Sequence, residues 1–377
     1  MKKFLIPLLF GIVLTSYTGY SLLDTFVIPK EQGKAEYSSY DFGLSSSSNS
    51  SSKSSSSKKS SSSSASSSNN SSLPSSSYEF SSMSSATSSI TTSDSSIVDS
   101  SSLIDGYFSD KVILTDNLYI DQNLHIEISK EVIQTKHMQI KNKMMDTIVY
   151  NADIRIRDLS HLSTALAHDK FGKNIVEHTS TMAERNKAIF ACNGDYYGAQ
   201  EAGYVLRNGT VFRDTKAKVG KSRLQQEDLA ILRDGSFETF YDKDVKLDEY
   251  VKKGAYQVFC FGPALVKDSK VSVKESDEVS TFSNLGNQRC GFGIFEPLHY
   301  LVSICDGRLD TKEDPSYGMS LYEMGNYLQS KGVKIGYNLD GGGSATFWFN
   351  GKVLNRPNSY GKDDIGEREI SDCIYFK

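Results

Sequence analysis

The sequence predicts a single α+β domain, sheet-rich with a few helices, and three observations carry that expectation. A serine tract from Ser45 to Ser102 separates a short apolar head from a long body of mixed composition. The body alternates apolar and polar residues over many short runs, the period-two pattern of half-buried strands. Several of these runs are joined by Asn-Gly or Asp-Gly, the pairs that two-residue hairpin turns favour. Many strands with few helical stretches give an α+β arrangement.

The head begins with Lys2 and Lys3, followed by an apolar run from Phe4 to Leu14 that continues more weakly from Thr15 to Ile28. A positive start before an apolar stretch is an export signal. A cleaved signal needs a small-x-small site, and no convincing one follows the run, which favours the anchor of the two readings without closing the other. An uncleaved anchor needs about 20 apolar residues, which Phe4 to Leu23 supplies with some polar Ser, Thr and Tyr. We therefore expect a single-pass signal-anchor over residues 1–30, with the folded part outside the cell membrane by the positive-inside rule.

Residues 31–102 read as a disordered linker. A serine tract has almost no apolar surface whose burial offsets the entropy of ordering it. Such a chain behaves as a random coil reaching several tens of ångströms, a plausible spacer. Lys53, Lys58 and Lys59 are too sparse for a polybasic arm. The folded domain is expected over 103–377, roughly 270 residues, enough for one large core.

Within the body, Leu124 to Ser129 and Thr147 to Ile156 read as half-buried strands, and Ser160 to Ala167 as a helix. Ala188 to Cys192 is a short buried strand ending in Asn193-Gly-Asp195. Hairpins are expected at Asn208-Gly209, Asp234-Gly235 and Asn350-Gly351. Tyr300 to Cys305 is a buried strand leading into Asp306-Gly-Arg308. Ser320 to Lys331 is helical, with Ser320 as N-cap, Glu323 completing a capping box, and Gly332 as the stop. Val333 to Leu339 is a last core strand, ending at Asp340-Gly-Gly-Gly-Ser344.

The net charge of -4 and pI near 5.9 argue against a nucleic-acid binder. Cys192, Cys260, Cys290, Cys305 and Cys373 form no CxxC pair or metal-ligand spacing and read as buried free thiols. The chain has no Gly-x-Ser-x-Gly elbow, Walker loop or His-Glu-x-x-His, and none of its six histidines lies in the polar corners.

Three apolar strands thus end in polar, glycine-containing corners. Glycines there let backbone approach a ligand, and consecutive N–H groups form anion-binding nests. Asp-Gly and Asn-Gly are also ordinary turns. The Asp340-Gly341-Gly342-Gly343-Ser344 run, between two strongly apolar strands, is the most functional in character. Arg289 and Arg308 suit bidentate phosphate recognition, or equally surface ion pairing. Glu323 divides between site and cap.

Taken in order, these corners resemble the phosphodiester glycosidase family. The matching stretches are Ala191-Cys-Asn-Gly-Asp-Tyr-Tyr197, Phe261-Gly-Pro-Ala-Leu-Val266, Gln288-Arg-Cys-Gly-Phe-Gly-Ile294, Val302-Ser-Ile-Cys-Asp-Gly-Arg308, Met319-Ser-Leu-Tyr-Glu323, Asn338-Leu-Asp-Gly-Gly-Gly-Ser-Ala345, and Asn355-Arg-Pro357 with Glu367-Arg368. The likeness covers about Asp146 to Tyr375 and is nearest to membrane-tethered, Gram-positive versions. One departure is Gln288-Arg-Cys-Gly291, where the family usually has Pro-Arg-Thr-Ala.

The resemblance implies hydrolysis of a sugar-1-phosphodiester, such as an N-acetylglucosamine-1-phosphodiester or a phosphoglycan of the cell surface. Asp340 and Asp306 would do the carboxylate work, with Glu323 in reserve. Arg289, Arg308 and the backbone of Gly341, Gly342, Gly343 and Ser344 would hold phosphate, joined by Arg368, and Asn193 and Asp195 would bond the sugar. No cofactor is required; a divalent metal at Asp306 and Asp340 is compatible with the residues, though no ligand spacing calls for one. The alternatives are a non-catalytic cell-wall glycan-binding or exopolysaccharide-assembly protein, which would have lost these carboxylates, and a structural surface protein.

Overall fold

The computed structural model describes residues 14–25, 27–34, 103–137, 143–217, 227–275, 286–309, 315–358 and 365–377. Along the chain, helix α1 spans residues 14–25 and strand β1 is Lys30–Lys34. Then come β2 (Ile113–Leu114), β3 (Leu118–Ile120), β4 (Leu124–His137), β5 (Lys143–Ile156), β6 (Leu162–Leu166) and β7 (Lys170–Lys173). Helix α2 (Thr179–Arg185) precedes β8 (Phe190–Asn193), β9 (Val205–Arg207), β10 (Thr210–Arg213), β11 (Glu227–Leu232) and β12 (Phe237–Tyr241). Helix α3 (Leu247–Lys253) precedes β13 (Ala255–Phe259), β14 (Ala264–Lys267), β15 (Lys270–Val271), β16 (Arg289–Glu296) and β17 (His299–Cys305). Helix α4 (Leu321–Ser330), β18 (Ile335–Leu339), β19 (Phe347–Phe349), β20 (Lys352–Val353) and β21 (Asp372–Phe376) complete the order.

The strands form a nine-stranded sheet, ordered β15-β14-β18-β16-β17-β5-β4-β3-β2, two five-stranded sheets, β10-β9-β13-β11-β12 and β20-β19-β8-β21-β6, and a two-stranded sheet, β1-β7. All ladders are antiparallel. One face of the large sheet carries Ile126, Ile154, Phe292, Val302 and Leu339, which pack against Leu229 and Phe259 of one smaller sheet and Phe190, Phe347 and Ile374 of the other. Each fully buried side chain of this size stabilises the fold by about 1.5–3 kcal/mol. The opposite face is covered by α4, whose Leu321, Met324 and Leu328 meet Leu265, Val266, Leu301 and Cys305. Met182 and Ala183 of α2 cover the outer face of the β8–β21 sheet beside Trp348, Ala191 and Cys373.

The α+β expectation holds, and so do its hairpins: β9–β10, β11–β12 and β19–β20 turn where Asn-Gly or Asp-Gly stands. Helix α4 has the expected capping box. All five cysteines are buried and free. The helix expected at Ser160 to Ala167 is instead strand β6 after a single 3-10 turn. The local pattern was compatible with a helix, but Leu162 to Leu166 pairs with β21 from Phe376 to Asp372. Tertiary pairing with a strand some 200 residues away overrides local propensity there.

The expected anchor, Phe4 to Leu23, lies partly outside the described residues. No helix among the described residues is long and apolar enough to cross a membrane. The expected linker also lies outside them, save that Lys30–Lys34, mostly assigned to it, is a strand paired with β7.

Candidate active site

Antiparallel pairing brings two of the three corners together at one end of the central strands of the large sheet. Arg289, opening β16, is the register partner of Cys305, which closes β17, and Cys290 faces Leu339 at the end of β18. Asp306 and Asp340 therefore stand just past the ends of β17 and β18, the two strands that flank β16. The third corner arrives from another sheet: Gly194, after β8, accepts a hydrogen bond from the Asp340 amide at 3.4 Å.

Asp340 is the carboxylate best placed for chemistry. Its Oδ1 accepts the Gly341 amide at 2.8 Å, while Oδ2 is buried without a hydrogen-bond partner. Burial pushes its pKa up, opposed by the nearby Ser344 hydroxyl, the Gly341 amide and the Arg368 guanidinium, while Asp195 adds to the rise. Ser344 stands close enough to bias the carboxylate, yet its Oγ forms no well-directed hydrogen bond. A buried polar atom left unmade costs about 1–3 kcal/mol, and a substrate group meeting Oδ2 would recover it.

The other two candidate carboxylates are already engaged. Asp306 is fully buried; Oδ1 accepts the Arg356 amide and Oδ2 its Nε, both at 2.9 Å. Burial still raises its pKa, with Arg356 opposing. Glu323 Oε2 accepts from the Ser320 amide at 2.8 Å, and Oε1 from the Lys136 amide at 2.7 Å. Its job is the cap, extended to the β4–β5 hairpin.

Asn193 and Asp195, expected to bond the sugar, face inward instead. The Asn193 amide donates to the carbonyls of Asp340 (2.7 Å) and Gly194 (3.2 Å), and its Oδ1 accepts Thr346 N at 3.3 Å. Asp195 accepts the amides of Tyr197 and Cys260, each at 3.0 Å, and pairs with the Arg207 guanidinium at 2.8 Å. Both residues hold the corner in shape, because their polar atoms are spent on backbone and on Arg207.

One arginine, Arg368, acts on Asp340 directly, and Arg308 and Arg289 follow it, each within electrostatic reach of the one before. Arg289 is buried, donates Nε to Met319 O at 2.9 Å, and has its pKa pushed down to about 10 by burial, with Arg308 adding to the fall. Arg308 is exposed at a left-handed φ of 59°, a conformation that few non-glycine residues adopt. Its pKa is lowered by burial of its stem and by Arg368. Arg368 in turn acts on Asp340. An anion among these guanidiniums would relieve their mutual repulsion.

The glycine run is less of a nest than its composition promised. The Gly341 amide bonds its own Asp340, Gly342 N donates to Gln288 O at 3.0 Å, and Ser344 N donates to Gly341 O at 3.4 Å. The glycines serve close approach: a Cβ at Gly341 would lie 2.6 Å from Gln288 O, and Gly342 sits at φ 63° with the Arg368 guanidinium and the Asn287 amide next to it. Gln288, the departure from the family pattern, ties the site together. Its Nε2 donates to Arg356 O at 2.8 Å and its Oε1 accepts Asn358 N at 3.1 Å.

Sequence reasoning missed the buried support behind Asp340. Arg207 is fully buried and pairs with both Asp195 and Asp372 at 2.8 Å. Asp372 leans on Gly194 so closely that a Cβ there would lie 2.4 Å from Oδ1. One guanidinium serving two buried carboxylates leaves Asp372 pushed up to about 7, by burial first and then by Asp195 and Asp340. The one available signal was an arginine ending the apolar run Tyr204-Val-Leu-Arg207. Among the described residues, no group of three or more His, Cys, Asp or Glu is arranged to hold a metal ion.

Comparison with known proteins identifies the family. The family model for phosphodiester glycosidase matches residues 186–377, just over half the chain. Among curated proteins, the uncharacterized prophage protein YomE of Bacillus subtilis is 26% identical over 278 residues, 70% of this chain and 39% of its own. Human N-acetylglucosamine-1-phosphodiester alpha-N-acetylglucosaminidase is 26% identical over 193 residues, 47% of this chain and 36% of its own. The chain thus spans well under half the length of these relatives. The zebrafish catalytic domain of that enzyme, auto-inhibited by its pro-peptide, shares the fold with a TM-score of 0.51 at 18% identity, covering 68% of this chain and 89% of that one. With the family model matched over just more than half of its length, a stretch that includes Asn193, Asp306 and Asp340, the chain belongs to the phosphodiester glycosidase family.

Proposed function

We propose that this protein hydrolyses sugar-1-phosphodiesters of the N-acetylglucosamine-1-phosphate type, and that it does so on the cell surface, in glycan outside the membrane. The observation that carries the reading is Asp340, whose Oδ2 is buried without a hydrogen-bond partner while the carboxylate feels Arg368, which is itself coupled to Arg308 and through it to Arg289. Arg368, Arg308 and Arg289 hold the phosphate, and Asp340 faces the anomeric carbon. The C1–O bond breaks with its electron pair passing to the phosphate oxygen, through an oxocarbenium-like state that an ionised carboxylate stabilises or attacks. Water supplies hydroxide to C1 and a proton to solvent, giving free sugar and a phosphomonoester. That leaving group is already a weak base, so no strong general acid is needed. Asp306 and Asn193 shape the corner without touching the reacting atoms.

The export signal at Lys2, Lys3 and Phe4 to Leu23 supports the surface location. The test is release of N-acetylglucosamine from UDP-N-acetylglucosamine or a simple N-acetylglucosamine-1-phosphodiester by the purified full chain in detergent. Asp340→Asn is expected to lower kcat by about 10³-fold or more with little change in melting temperature. A well-folded wild-type chain that cleaves no sugar-1-phosphodiester would sink the proposal and favour a glycan-binding role.

A further inference from the structure

The serine tract lies between two parts of one folded unit. Residues before it, Lys30–Lys34, form β1, and residues after it build the rest of the domain. β1 adds to β7 in antiparallel register, Lys30 opposite Lys173 and Lys34 opposite Lys170, with a bulge between Glu31 and Gly33. Lys170 Nζ reaches Glu31 Oε2 at 2.8 Å. Asn174, just past β7, donates its side-chain amide to the carbonyl of Thr25 (3.3 Å), at the end of helix α1, and to that of Ile28 (3.2 Å) in the turn beyond it. A carbonyl at a helix end has no partner within its own helix. Asn174 therefore acts as a C-cap supplied by the domain.

The domain side is built to fit. Gly172 in β7 has no room for a side chain, since a Cβ would lie 2.1 Å from Lys30 O and 2.9 Å from the Glu31 Cα. β7 is itself fixed to the corner of the candidate site. Phe171 stacks on Tyr197 at 5.2 Å, Asn174 N donates to Gly198 O at 3.0 Å, and Tyr197 N bonds Asp195. On the outer side, Leu14, Tyr17, Tyr20, Leu22 and Leu23 of α1 are exposed.

We propose that residues 27–34, ending in strand β1, are a docking segment that fastens α1 directly to the β7 edge, making the serine tract a closed excursion rather than the spacer that sequence composition suggests. The domain is then held beside whatever carries α1, and the length of the tract does not set its reach. A strand joined in this way rebinds at an effective concentration on the order of millimolar, so weak docking contacts suffice while the tract is intact.

The test uses the full chain in detergent solution, with an affinity tag at the N-terminus and a specific protease site inserted within the serine tract. After cutting, the domain is expected to stay with the tagged fragment at least about 10-fold more than in Gly172→Val, which fills the space of Lys30 O. Because docking too weak to survive washing would also release the domain, a second arm places Lys34→Cys with Lys170→Cys. The native cysteines are all buried, so the new pair forms the one exposed couple among the described residues. Disulfide formation before cutting, with retention afterwards, supports docking whatever its strength. Release of the wild-type domain together with failure of that disulfide, in a chain that keeps its native melting temperature, overturns the proposal.

Discussion

At the scale of single residues, the contrast between Asp340 and Asp372 carries two predictions. Arg368 holds the Asp340 pKa down against burial. Arg368→Ala should therefore move the acid limb of kcat/KM to higher pH, by about half to one unit, and Arg368→Lys by less. An unmoved limb would separate Arg368 from Asp340. Asp372 stands at about 7 in the fold, against about 3.9 for an unfolded aspartate. Between those values the folded chain holds a proton that the unfolded chain has lost. Stability should consequently fall as pH rises from about 4 to 7 and level off above. Asp372→Asn removes this titration, so melting temperature plotted against pH should be flatter across that window; an unaltered slope would show that Asp372 titrates normally. Asp340, the glycine run and the arginines could be picked out by residue type and corner. The support of Asp340 could not, because Arg207 and Asp372 are 165 positions apart and neither sits in a recognisable turn.

Helix α4 shows what is legible at the scale of elements. Ser320 and Glu323 announced its start, and the capping box forms as its spacing required. Whether Glu323 also served the site was undecided in sequence, because a capping glutamate and a catalytic one look alike. The bond from Lys136 N resolves it toward structure, since both oxygens are then occupied. Ser320→Ala should cost about 1 kcal/mol in denaturant unfolding. Glu323→Gln, which keeps an acceptor, should leave kcat within about threefold; a loss comparable to that of Asp340→Asn would return Glu323 to the catalytic group. β6 was misread for the opposite reason. Its identity comes from β21, and nothing between Ser160 and Ala167 encodes that partner.

For the whole molecule, the sequence revealed many strands but not their division among sheets, because hairpin signals report only neighbours in the chain. Hence β9–β10 and β19–β20 were legible, while the placement of β21 between β8 and β6 was not. The site inherits this property. The corner after β8 meets Asp340 only when Asp372, nearly 180 residues further on, has paired beside it. Contacts of such long sequence separation form slowly, since loop closure must precede any gain from pairing. Trp348 is the single tryptophan, buried in β19 directly opposite Ala191 of β8. It is therefore a built-in clock for this seam: during refolding, the slowest change in tryptophan fluorescence and the return of activity should share one rate constant. Activity recovering in an earlier phase would mean that the corners assemble before the β8 seam closes.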